Sequence, residues 1–154
     1  MRMLWGIADF GRAMQREMRF GKLSREPLRL LRLEWRSEVV ECDWMARPAD
    51  EWDVDLPRHV VSGAASEQAL RDAIAVRELL FCVLPGVNTA SLRVFRQTLG
   101  GMHRLIITGT VNRGEQVSRN VTSTAMRAKL LGFQFWFEDG ILEDFRPEES
   151  AMSF

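Results

Sequence analysis

"LRLLRLEWRSEVVECDWMA", residues 28–46, decides how the chain is read. Leu31, Leu33 and Trp35 alternate with Arg32, Glu34 and Arg36; beyond a break near Ser37, Val40, Cys42 and Trp44 alternate with Glu41 and Asp43. A period of two places successive side chains on opposite faces, so the stretch predicts a β-hairpin with one apolar and one charged face. An antiparallel sheet wet on one side has this pattern.

The remaining elements follow from that hairpin. "SLRVFRQ" (91–97) and "HRLIITGTV" (103–111) read as two more strands joined across Gly100-Gly101. In "FQFWFEDGILEDF" (133–145), Asp139-Gly140 between apolar runs signals a two-residue hairpin turn, with Phe137 opposite Leu142. Between the strand pairs lie helical stretches. One starts at Ser66, a residue able to cap, with Glu67 in its first turn, and stops at Leu84 before Pro85-Gly86. Its "LLFCVL" end is apolar on almost every side and is expected to be the most deeply buried part. A shorter helix, "STAMRAKLL" (123–131), ends at Gly132.

Residues 3–18, "MLWGIADFGRAMQREM", predict an amphipathic helix. Met3, Leu4, Ile7, Phe10, Met14 and Met18 share one stripe, opposite Arg12, Arg16 and Arg19. The expected fold is therefore α+β, a mostly antiparallel sheet of about six strands with two or three helices in the order α-ββ-α-ββ-α-ββ. A docking helix over 1–22, a single α+β domain over 28–145 and a polar tail over 146–154 complete the organisation.

Composition narrows the functional classes. The 154 residues are 46% hydrophobic and 27% charged, ordinary globular values, and no apolar run reaches the roughly 18 residues of a membrane span. The 21 basic and 21 acidic residues cancel, yet residues 1–36 and 79–137 are mainly basic whereas 37–78 and 138–154 are mainly acidic. Such blocks suit orienting a partner, or neutralise one another on folding. All the basic residues except Lys22 and Lys129 are arginine. Cys42 and Cys82, with no CxxC spacing, point to a reducing compartment and two buried, inert thiols.

Catalytic motifs fail one by one. His59 and His103 are the only histidines, too few for HExxH, and His59 with Ser62 or Ser66 lacks a GxSxG context. Gly109 to Gly114 has the glycine spacing of a phosphate loop, but Glu115 stands where lysine is required. In the acidic loop 48–57, extended backbone would hold the Asp53 and Asp55 carboxylates about 7 Å apart on one side, the one weak candidate for a divalent ion. The blander reading is a solvated loop pinned by Trp52, which anchors to this core or to a partner. No cofactor is implied. Arg93, Arg96, Arg104, Arg113, Arg119, Arg127 and Lys129 make a basic segment, but without the interleaved aromatics of an RNA-binding sheet.

The sequence therefore favours a non-catalytic interaction module, an accessory or scaffold subunit of a larger protein assembly. It would be cytoplasmic and could lie peripheral to a membrane-bound complex. Leu4, Ile7, Phe10, Met14, Met18 and Trp52 are the expected partner-binding residues. A small enzyme or small-molecule-binding protein with its site near 50–55 is the alternative, and nucleic-acid binding through 93–129 is the third.

Overall fold

The computed structural model describes residue 12 and residues 28–47, 57–98 and 100–145. Leu4, Ile7, Phe10, Met14, Met18, Trp52, Asp53 and Asp55, with most of the 1–22 helix and the 146–154 tail, lie outside the described residues. Within them the protein is α+β. Its strands are β1 (Arg29–Arg36), β2 (Val39–Met45), β3 (Thr89–Gln97), β4 (His103–Asn112), β5 (Phe133–Gln134), β6 (Phe137–Glu138) and β7 (Ile141–Leu142). Its helices are α1 (Arg58–Val83) and α2 (Thr124–Leu131).

The opening hairpin forms with Leu33 and Trp35 in the expected alternation, which a bulge at Leu31 interrupts. Arg36 pairs with Val39, Trp35 with Val40 and Leu33 with Cys42, around a turn in which Ser37 takes a φ of 54°. β3 and β4 form the second antiparallel pair. The main sheet differs from the expected one in composition. It has five strands in the order β1-β2-β3-β4-β5, and β2 lies parallel to β3, Val39 beside Thr89 through Met45 beside Phe95. The sheet is mixed because a helix joins β2 to β3. A crossover of that length returns the chain to the same end of the sheet, which makes neighbouring strands parallel.

The last two strands do not extend the sheet as expected. β5 adds only two residues beside β4, whereas β6 and β7 make a separate ladder. The predicted pairing of Phe137 with Leu142 is present, and Asp139 and Gly140 both adopt the positive φ that such a tight turn needs. The described order is thus ββαββα followed by three short strands, in place of six equal strands alternating with helices.

Helix α1 also begins earlier than its sequence suggests. It starts at Arg58 after Pro57 and runs 26 residues. Pro57 presets φ at the entrance and has no N–H to leave unsatisfied there. Ser66 is consequently interior and buried; its Oγ accepts the Leu142 N–H at 2.9 Å, tying the β6–β7 ladder to the helix. The exposed residues Glu67, Arg71, Glu78 and Cys82 recur at four- and seven-residue intervals, the repeat of a single helix face. Cys82 is therefore exposed and not buried as expected, because it falls on that wet stripe.

The core lies between the helices and one face of the sheet. Trp44, Leu70, Leu80, Leu84, Leu92 and Ile107 are fully enclosed there, each worth about 1.5–3 kcal/mol of apolar transfer energy. α2 ends at Gly132 as predicted, at a φ of 112°, and begins one residue later than expected, at Thr124, with Ser123 as its cap, Oγ accepting from the Met126 N–H. Its exit crosses β4 at a glycine contact: a Cβ on Gly109 would stand 2.7 Å from the Gly132 carbonyl oxygen. Gly109, which shares a phosphate-loop spacing with Gly114, is thus a point of backbone approach inside a strand.

Candidate functional site

The charged face predicted for the hairpin is the sheet face away from the core, and its carboxylates are already engaged. Asp43 accepts from Arg93 twice, Nε to Oδ1 at 3.0 Å and Nη2 to Oδ2 at 2.6 Å, and from Arg32 Nε at 3.1 Å. Arg32 also meets Glu34 at 3.0 Å and Glu41 at 3.4 Å, and the carboxylates of Asp43 and Glu34 push its pKa upward. With both oxygens committed to guanidinium groups, Asp43 is a poor metal ligand and a poor general base. The arrangement is a satisfied ionic ladder.

Most cations of the basic 93–129 segment are turned onto the protein itself, whereas Arg104 and Arg119 are exposed. Arg96 donates to the Leu142 carbonyl at 2.9 Å and contacts Asp144. Arg113 donates to the carbonyls of Phe81 (2.7 Å), Leu84 (2.8 Å) and Val87 (2.6 Å). Arg127 donates to Ser118 and Val121 carbonyls, and Lys129 sits 5.4 Å above the Phe135 ring. Phosphate binding needs outward cations, and Arg93, Arg96, Arg113 and Arg127 are engaged by the protein's own carboxylates and carbonyls. From α1, Arg77 returns the contact, donating to the Asn112 and Glu115 carbonyls at 2.8 Å each. Arg77 and Arg113 both lie against the Phe81 ring, at 5.3 and 5.0 Å.

Four of the eight large apolar side chains exposed among the described residues lie on α2 and the segment after it. Met126 and Leu130, four residues apart on one helix face, are 50% and 52% exposed; Trp136 and Phe137 are 55% and 40% exposed. Lys129 over Phe135, and Phe135 edge-on to Phe137 at 5.3 Å, connect the helix to the hairpin. Large apolar side chains gathered in this way mark a contact surface more often than scattered ones do. The sequence reading missed this patch. Its signal was the alternation of "FQFW", which buries Phe133 and Phe135 and leaves Gln134 and Trp136 outside.

A second cluster is buried. Arg47 Nε lies 3.0 Å from Asp72 Oδ2, both side chains being almost wholly enclosed, and Gln68 Nε2 donates to Asp72 Oδ1 at 2.7 Å. Arg47 Nε and Asp72 Oδ2 are held by this ion pair, whereas Arg47 Nη1 and the indole N–H of the enclosed Trp44 have no hydrogen-bond partner among the described residues. Burial pushes the Asp72 carboxyl from 3.8 up to about 6, against the opposing pull of Arg47 and Gln68. Such orphaned groups are costly and ask for an explanation.

The other singled-out residues stay apart. Cys42 is fully buried, and burial with Asp43 beside it pushes its thiol far up, which makes it inert. His103 is exposed at the start of β4. Among the described residues, no group of three or more His, Cys, Asp or Glu side chains could hold a metal ion. No described helix is long and apolar enough to cross a membrane. No family model matches the chain, and no curated protein or solved structure matches it either.

Proposed function

We propose that this chain is a protein-interaction module, an accessory or scaffold subunit of a larger assembly, whose described contact surface is formed by Met126, Leu130, Trp136 and Phe137. The exposed apolar patch carries this reading, because four large apolar side chains in adjoining elements lose little by being covered and gain if a partner buries them. The stripe of Leu4, Ile7, Phe10, Met14 and Met18, with Trp52, supplies a further contact in this proposal, and a cytoplasmic assembly at a membrane surface is the setting that suits it. The test is co-purification of the full chain from its source, with Leu130→Ser combined with Trp136→Ser as the comparison. A stoichiometric protein partner, lost from the double variant at unchanged melting temperature, supports the reading. Retention of the partner by the double variant removes this surface from it.

A second reading, a small enzyme or small-molecule-binding protein with a site near 50–55, is favoured by the buried Arg47 Nη1 and Trp44 indole N–H, unpartnered among the described residues, because Arg47 precedes that stretch in the sequence. Native mass spectrometry separates the two. A small molecule retained by the protein and lost from Arg47→Met supports the second reading, and a bare chain with an intact partner supports the first.

A further inference from the structure

β1 is an edge strand: among the described residues it has β2 on one side and no strand on the other. An eight-residue open edge is a template for another strand unless something blunts it. A bulge between Leu30 and Arg32 and the arginines at 29, 32 and 36 discourage an arbitrary partner. They do not discourage a second copy of the same strand in one particular register.

Two copies of β1 related by a two-fold axis pair antiparallel, and residues facing each other must lie on the same sheet face. Only pairings centred on a residue meet that condition. Centring on Arg32 sets Arg32 against itself, and centring on Glu34 sets Glu34 against itself; like charges directly opposite are destabilising. Centring on Trp35 leaves only the last residues of the strand in overlap. Centring on Leu33 instead sets residues 31–35 of the two copies together, between the bulge and the turn. It places Arg32 opposite the partner's Glu34, a pair occurring twice across the axis, with the bulged Leu31 next to the partner's Trp35. The Glu34 side chain is already in a basic setting, 3.0 Å from Arg32 and 3.5 Å from Arg36, and is 41% exposed, so a second arginine can reach it.

We propose that the protein self-associates through β1 with Leu33 on the two-fold axis, joining two five-stranded sheets into one continuous sheet. This surface is distinct from the α2 patch, so self-association and partner binding fail independently. Sedimentation of the full chain over a concentration series should show a monomer–dimer equilibrium. Glu34→Arg, which sets arginine against the partner's Arg32 twice, should weaken it about tenfold or more, with an unchanged circular dichroism spectrum. Glu34→Gln should weaken it less. A nitroxide on Arg36→Cys in a Cys82→Ser background reads the register, Cys42 being buried and inert. Residue 36 then lies six positions along from its symmetry mate, about 20 Å, against about 13 Å for a Glu34-centred pair and about 7 Å for a Trp35-centred one. A protein that stays monomeric at about 100 μM, a dimer indifferent to Glu34→Arg, or either of the shorter distances overturns the proposal.

Discussion

Replacing Arg113 with methionine should destabilise the domain more than any surface substitution of comparable size. The guanidinium satisfies three carbonyls where α1 ends and β3 approaches, those of Phe81, Leu84 and Val87, and it stacks against Phe81. α1 carries no basic residue in its own last turn, so this cation, remote in sequence, complements the negative end of the helix. In the variant Leu84 keeps one donor, the Val87 N–H at 3.0 Å, whereas Phe81 and Val87 lose the guanidinium that bonded them. Two stripped carbonyls at about 1–3 kcal/mol each, reduced because the site is partly exposed, give an expected loss of about 2–4 kcal/mol. Lysine, a single ammonium without the planar fork, should recover only a minor part. Urea unfolding of the two variants and the parent measures this directly, provided the m-value is unchanged. A loss for Arg113→Met below about 0.5 kcal/mol would show that water replaces the guanidinium at no cost and would refute the reasoning.

Gly109→Ala should lower stability by about 1–3 kcal/mol, since its Cβ would meet the Gly132 oxygen at 2.7 Å and the Phe133 Cα at 2.9 Å, both backbone atoms. Gly114→Ala, with nothing within 4 Å of the new Cβ, should be nearly silent in the same thermal melts. Asp72 should make stability depend on pH in an unusual direction. Its carboxyl is held at about 6 when folded, against 3.8 ordinarily, so between those values the folded state keeps a proton that the unfolded chain has released. Stability from this group therefore increases as pH falls from about 6 to about 4, by about 2–3 kcal/mol, and is lower by that amount above pH 6. Asp72→Asn should remove this component, and identical pH profiles for variant and parent would exclude it.

Where side-chain alternation alone sets the structure, the sequence was readable. The hairpin of β1 and β2, its charged outer face, the enclosed Trp44 and the Phe137–Leu142 pairing all follow from period-two patterns or turn chemistry. The parallel pairing of β2 with β3 was harder to read, because each strand's pattern is compatible with either direction and only the connecting helix decides. Ser66 misled for a related reason: a serine before an apolar run caps a helix or lies within it, and Pro57 was the stronger start signal. The exposed patch was partly legible in the spacing of Met126 and Leu130. The meeting of Arg47, Gln68 and Asp72 was not legible at all, since it depends on how the end of β2 packs against α1.

The parallel seam at the centre of the sheet bears on how the chain reaches this state. β1–β2 and β3–β4 are local hairpins, but every pair between β2 and β3 joins residues about fifty positions apart. The loop-closure entropy of that separation must be met before the seam contributes anything, which places the domain among the slower folders of its size. Until it closes, the first hairpin holds Val40, Cys42 and Trp44 on an uncovered face, and β2 offers a second open edge beside that of β1. Newly made chains pass through this state at the stage when about half the domain has been synthesised. Their yield is expected to depend on how quickly α1 carries β3 back to β2.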